Sequence, residues 1–158
     1  MTDLTTYELR RADVDDARVI QHHRDAMFLE MGIDPEVVGA ASEPARAWTT
    51  RALASGTYTG LLYAAAGAPS EVVAGCGVTW LDLPPNMHTA VARRGYVLNM
   101  YVEPGHRRRG LARSLVTQAI EVCRSAGVDL VSLHASGAGR PLYADLGFVP
   151  TNELRLSL

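Results

Sequence analysis

Residues 96–127 run YVLNMYV, then EPGHRRRG, then LARSLVTQAIEVCRSAG. A strongly β-forming stretch ends at a proline and a glycine, and three arginines and a second glycine follow. Leu111, Leu115, Val116, Ala119, Ile120 and Cys123 then recur at helical spacing up to Gly127, which stands where a helix-ending glycine is expected. Strand, turn and helix in that order predict an anion site, because the first N–H groups of a helix have no intrahelical partner and the helix dipole is positive there. Gly110 lets a phosphate approach the backbone, Ala112 keeps the next turn low, and arginines add charge-assisted hydrogen bonds. The segment reads as a cradle for a phosphorylated ligand.

The rest of the chain supplies the elements around it. Residues 4–11 alternate as a short strand, Asp13 and Asp16 form a helix-start signal, and Ala17, Ile20, Met27 and Met31 carry a first helix to Gly32. Ser42 and Pro44 predict the start of a second helix that runs through Ala47, Trp48 and Leu53 to Gly56. TYTGLLYAAAG and EVVAGCGVTWLDL are β-rich runs joined by GAPS, which predicts an antiparallel hairpin. LPPNMHTAVARRG has neither period and reads as a long functional loop. After the arginine segment come a strand (DLVSLHA), a short helix over 139–146 and a final strand (FVPTNELRLSL). The order is β-α-α-β-β-β-α-β-α-β, within a single domain spanning 1–158.

With 15 basic residues, all arginine, against 17 acidic ones, the formal net charge is −2, so the arginine run is local and no general nucleic-acid surface is expected. Cys76 and Cys123 stand singly, without the spacing of a zinc site or a disulfide framework. The N-terminus lacks a signal-peptide pattern and the longest apolar stretch, GLLYAAAGA, is too short to span a bilayer. A soluble, cytoplasmic protein with no membrane partner is expected.

The arginine loop lacks the G-x-x-x-x-G-K-[ST] of a P-loop and the G-x-G-x-x-G of a dinucleotide fold. Arg107-x-x-Gly110-x-Ala112 after YVEP instead resembles the acetyl-CoA pyrophosphate motif of the GCN5-related N-acetyltransferase (GNAT) family. GRPLYADLGF, with a tyrosine four residues before Gly147-Phe148, is similar to that family's late segment, and the element order agrees over nearly the whole length. The resemblance implies an α/β (α+β) fold with a mixed, mainly antiparallel central sheet and helices on both faces. It also implies acetyl-CoA as co-substrate and an N-acetyltransferase activity toward a primary amine of a small molecule or peptide, by direct attack.

By the same resemblance, the strand before the loop parts from its neighbour, and Met100, Tyr101 and Val102 offer backbone hydrogen bonds to the pantetheine arm. A backbone N–H near Val102 would polarise the acetyl carbonyl and stabilise the oxyanion. The amides of Arg107, Arg108, Arg109, Gly110, Leu111, Ala112 and Arg113 would hold the pyrophosphate. Tyr143 would protonate the departing thiolate as general acid. Ser136 stands where the family often has a cofactor-touching asparagine, and Arg140 on the same helix is a further cofactor contact. Phe148 reads as core.

An amine nucleophile must give up a proton; the stretch YVLNMYV carries no carboxylate, only Asn99, and the sequence leaves the acceptor open among Glu103, Asp82, Glu30 and His134. His22 and His23 point about 100° apart on a helix, and no i, i+4 partner completes a ligand set, so no metal is expected. The first two helices and residues 82–95 are expected to form the acceptor pocket, with Met27, Phe28, Met31 and Trp80 lining an apolar cleft. Asn86, His88, Arg93 and Arg94 mildly favour an acceptor bearing a carboxylate or phosphate. Family habit alone makes a homodimer plausible. The alternative reading is an acetyl-CoA-binding sensor or interaction domain of the same fold that does not turn the cofactor over.

Overall fold

A computed structural model of the chain describes residues 4–158. Five strands, β1 (Tyr7–Arg11), β2 (Tyr58–Ala65), β3 (Ala68–Asp82), β4 (Arg93–Val102) and β5 (Val131–Leu133), form one sheet in chain order. The first four are antiparallel neighbours and β5 runs parallel to β4. Helices α1 (Ala17–Glu30) and α2 (Pro35–Ser55) cover one face, α3 (Leu111–Ser125) covers the other, and α4 (Arg140–Asp145) follows β5. Among the described residues, no helix is long and apolar enough to cross a membrane.

Alternation along the strands sends side chains to two cores. Val73, Cys76, Val78 and Val97 pack with Leu111, Leu115, Ala119 and Cys123 on the α3 face. Tyr58 and Leu62 pack with Ile20 and Ala52 on the α1–α2 face. The helix stripe read from the sequence is the one buried, with Leu115, Val116, Ala119 and Cys123 fully covered.

Three boundaries differ from the sequence reading. The second helix begins at Pro35, not near Ser42, because Asp34 caps it through a side-chain bond from the Glu36 amide and Pro35 takes the first turn, where no donor is needed. Pro44 then lies inside the helix, which persists through the missing bond because Val38, Thr49 and Ala52 on either side of it are buried. The expected strand over 148–158 is not formed. Leu154, Leu156 and Leu158 alternate as a strand should, yet all three are exposed, and the three-residue β5 offers little edge to pair with. The loop expected at 84–95 is shorter, since β4 already starts at Arg93. It is pinned by an Asn86–Thr89 bridge and by the Thr89 hydroxyl bonding to Asp129.

Candidate active site

β4 changes character halfway. Gly95, Tyr96 and Val97 pair with Val131, Ser132 and Leu133 of β5, and there the pairing stops, so residues 98–102 have a neighbour only on the β3 side. On that side Gly77 opposes Leu98 and Gly75 opposes Tyr101, leaving two β4 residues, Asn99 and Met100, opposite Cys76 alone. This is a β-bulge, and Asn99 adopts φ 55°, a left-handed conformation that asparagine tolerates better than most residues. The bulge puts Leu98 and Asn99 on the same α1–α2 face. The Asn99 amide donates to the Tyr58 hydroxyl at 3.4 Å. Tyr58 reaches across β3 because Gly77 leaves room: a Cβ there would lie 2.0 Å from the phenol ring.

The fork between β4 and β5 leads to the arginine loop. The Glu103 amide donates to Val73 at 2.8 Å, so by antiparallel alternation Tyr101 also bonds toward β3, while the polar backbone groups of Val102 turn toward the fork. Tyr101 is therefore the weakest of the three expected backbone contacts. Its ring faces α1, 5.2 Å from His23, and its hydroxyl donates to Glu30. Burial, helped by Glu30, pushes that phenol up to about 12.

Of the loop residues, Leu111 is core, and its side chain anchors the helix start. Gly110 precedes α3 with φ 83°, and Arg108 is also left-handed at φ 61°. The Arg107 side chain is not free for a ligand. It forks onto Glu30 at 2.7 and 2.8 Å and donates from Nε to the Val102 carbonyl, tying the loop to the end of α1. Arg113 pairs with Asp145 of α4, and Arg109 donates to the Gly105 carbonyl. Arg108, Arg109 and Arg140 remain exposed. The loop is braced from beneath by residues the sequence reading did not single out: Tyr7 bonds to His106 at 3.0 Å and Tyr63 to Ser114 at 2.7 Å. These contacts join positions up to 99 residues apart, which no local pattern signals.

Tyr143 is buried against Phe148 and Gly139, and no hydrogen bond joins its hydroxyl to another described residue. Burial raises its pKa, with Cys76 adding to the effect. The Arg113–Asp145 ion pair ties the helix that carries Tyr143, α4, to the start of α3. Ser136 starts the turn into α4, its carbonyl accepting from Gly139 and Arg140 and its hydroxyl from Gly139.

The four candidate proton acceptors are scattered. Glu30 is committed to Arg107, which with Tyr101 holds its carboxyl below the usual range. Glu103 lies 3.3 Å from His22 and 3.5 Å from His23, so the two histidines converge on one carboxylate despite their angular separation on the helix. His23 is fully buried, its Nε2 has no hydrogen-bond partner, and burial, with His22, pushes it down to about 4. Asp82 opposes Arg93 at the far end of β3. His134 directly follows the last β4–β5 pair and bonds through Nδ1 to the Tyr96 hydroxyl.

Among the acceptor-side expectations, Trp80 is corrected. It packs on the α3 face beneath Arg93 and cannot share a cleft with Met27, Phe28 and Met31 of α1. Phe28 lies under Arg24, and Met31 is half exposed. Arg94 donates to the Pro84 carbonyl.

Comparison with known proteins agrees with this geometry. The family profile described as the acetyltransferase (GNAT) family matches residues 4–148. A GCN5-related N-acetyltransferase from Ralstonia eutropha JMP134 superposes with a TM-score of 0.91 at 36% identity, covering 96% of this chain and 98% of that one. A predicted acetyltransferase from Clostridium acetobutylicum, solved with acetyl-CoA, superposes with a TM-score of 0.86 at 25% identity, covering 96% of each chain. A mycothiol acetyltransferase of Beutenbergia cavernae is 38% identical over 74 residues, 45% of this chain, and a glucosamine 6-phosphate N-acetyltransferase of Trypanosoma brucei brucei is 34% identical over 65 residues, 40% of this chain. Those two matches span 23% and 44% of the relatives' own lengths. The chain belongs to the GNAT family of acetyltransferases.

Proposed function

We propose that the protein transfers an acetyl group from acetyl-CoA to the primary amine of a small molecule or peptide. The observation that carries the reading is the half-paired β4, whose free edge runs directly into the left-handed Gly110 and the unpartnered amides of α3. A pantetheine arm is a chain of amides and suits an open strand edge, and a diphosphate suits a helix N-terminus flanked by the exposed Arg108 and Arg109. Met100, Val102 and the loop amides from Arg108 to Ala112 would hold the cofactor, with Ser136 and Arg140 nearby on the α4 side.

Tyr143 suits the role of proton donor to the leaving thiolate. Its buried phenol stays protonated at neutral pH, and its hydroxyl carries no competing bond. Among acceptors, the relative named for glucosamine 6-phosphate and the structural neighbours named as aminoglycoside acetyltransferases make amino sugars the first class to screen. Calorimetric titration with acetyl-CoA is expected to give micromolar binding that weakens about tenfold in an Arg108→Glu, Arg109→Glu variant. Tyr143→Phe is expected to keep that affinity and to lose about 100-fold in kcat with an amine that the parent protein acetylates. Unchanged turnover in Tyr143→Phe would remove the acid role. Tight binding with no turnover of any amine would favour a sensor.

A further inference from the structure

At the apex of the fork, where the β4–β5 pairing ends, Tyr96 and His134 meet. Gly95, Val97, Val131 and Leu133 all face the α3 core, so the alternating Tyr96 and His134 project to the α1–α2 face. The Tyr96 hydroxyl bonds to His134 Nδ1, and the rings stand edge to face with centroids 5.6 Å apart. On the other side of the imidazole, Nε2 lies 3.6 Å from the Glu153 carboxylate and 3.2 Å from the Arg155 guanidinium, both in the C-terminal segment. Glu153 and Arg155 are the charged groups facing the pair. A cofactor held at the arginine loop and lying back along the open edge of β4 would end at this apex, beside the tyrosine–histidine pair.

We infer that Tyr96 and His134 form the proton exit for the acceptor amine. The deduction rests on the acetyl-transfer reading above and identifies the proton acceptor within that site. With His134 as the Nε2–H tautomer, bonded to Glu153 with Arg155 turned aside, the acceptor's ammonium gives one proton to the Tyr96 oxygen while the Tyr96 hydroxyl proton moves to His134 Nδ1. The free amine then attacks the thioester carbon. The second proton leaves the nitrogen of the tetrahedral intermediate and, by way of solvent, replaces the one that Tyr143 gives to the thiolate. The imidazolium faces Glu153, and its half-exposed ring hands the proton to solvent. The tyrosine ends as it began, one of the two protons that amide formation removes from the ammonium has left through the pair, the other ends on the thiol, and no other reagent is needed. Burial, with Glu153, raises the Tyr96 pKa, so the phenol serves as a neutral relay and not as a standing phenolate. The other carboxylates lack this placement: Glu30 and Glu103 are held by Arg107 and by His22 and His23 at the loop end of β4, and Asp82 sits beyond its start.

The test follows thiol release from acetyl-CoA with glucosamine 6-phosphate, kanamycin, spermidine and a short peptide, carrying forward the amine used fastest. His134→Ala and Tyr96→Phe are compared with the parent, with acetyl-CoA affinity measured beside each. His134→Ala is expected to lower kcat/KM about 100-fold at pH 7 with cofactor affinity unchanged, to lose the acidic limb of the pH profile, and to regain rate with added imidazole. His134→Gln, which keeps a polar side chain of similar size, is expected to be equally slow but not to be rescued. An unchanged pH profile and rate in both histidine variants would overturn the relay while leaving the transferase reading intact. Failure of the parent protein to acetylate any of the amines would overturn both.

Discussion

The two halves of β4 are built from similar residues and do opposite work. Residues 95–97 are hydrogen-bonded on both sides, and Val97 is buried. Residues 98–102 keep only the β3 side, begin with a left-handed bulge at Asn99, and send Tyr101 to α1. The closed half is held by packing and tolerates no new atoms. The open half leaves one edge unpaired by any strand, and bulge, loop and helix around it are braced by side chains from distant parts of the chain. A strand can thus be scaffold and binding surface at once, provided that the change falls at a defined residue.

Four substitutions or conditions probe that division, starting with the largest effect. Gly77→Val, opposite Leu98 where the open half begins, drives a Cβ into the rigid Tyr58 ring 2.0 Å away and is expected to cost about 3 kcal/mol or more in urea unfolding. A cost near zero would mean that Tyr58 does not cross the strand. Next comes acid sensitivity behind the open half. His23 is held neutral while its unfolded counterpart protonates near pH 6.5, so the unfolded state takes up more protons as the pH falls. Stability is expected to be full above pH 6.5 and to decline by roughly 3 kcal/mol on reaching pH 4, and His23→Leu should remove that slope in unfolding measured across this range.

Gly110→Val affects binding more than folding. A side chain at φ 83° is strained and stands where a diphosphate would approach, so acetyl-CoA affinity should fall about 10- to 30-fold by calorimetry. The smallest effect is at the bulge itself. Asn99→Gly suits the left-handed backbone and forfeits only one long hydrogen bond to Tyr58, so the melting shift should correspond to less than about 1 kcal/mol. A larger loss would make the Asn99–Tyr58 contact a main support of the fork.

What could be read from the sequence was whatever is encoded locally. The α3 stripe, the glycine before it and the β-rich hairpin each follow from residues within a few positions of one another, and they stand in the structure as expected. The second helix starts before Ser42 and Pro44, which only imitate a start, because the operative signal is Asp34-Pro35-Glu36. The last strand failed for a different reason: an alternating pattern specifies a strand only where an edge of adequate length receives it. In the site, the loop was legible, but the side-chain assignment of Arg107 was not, since its partner Glu30 lies 77 residues away. The pairing of Tyr96 with His134 depends on where β4 and β5 part, a property of register that no single segment carries.

Both cysteines lie under α3: Cys76 is pushed up to about 12 by burial, and Cys123, also fully covered, is raised as well. Neither offers a thiolate to a reagent in solution while the chain is folded. A disulfide dye added to the native protein should therefore stay colourless until coenzyme A is set free. The same dye becomes an unfolding probe once heat or denaturant lifts the helix, reporting two equivalents per chain.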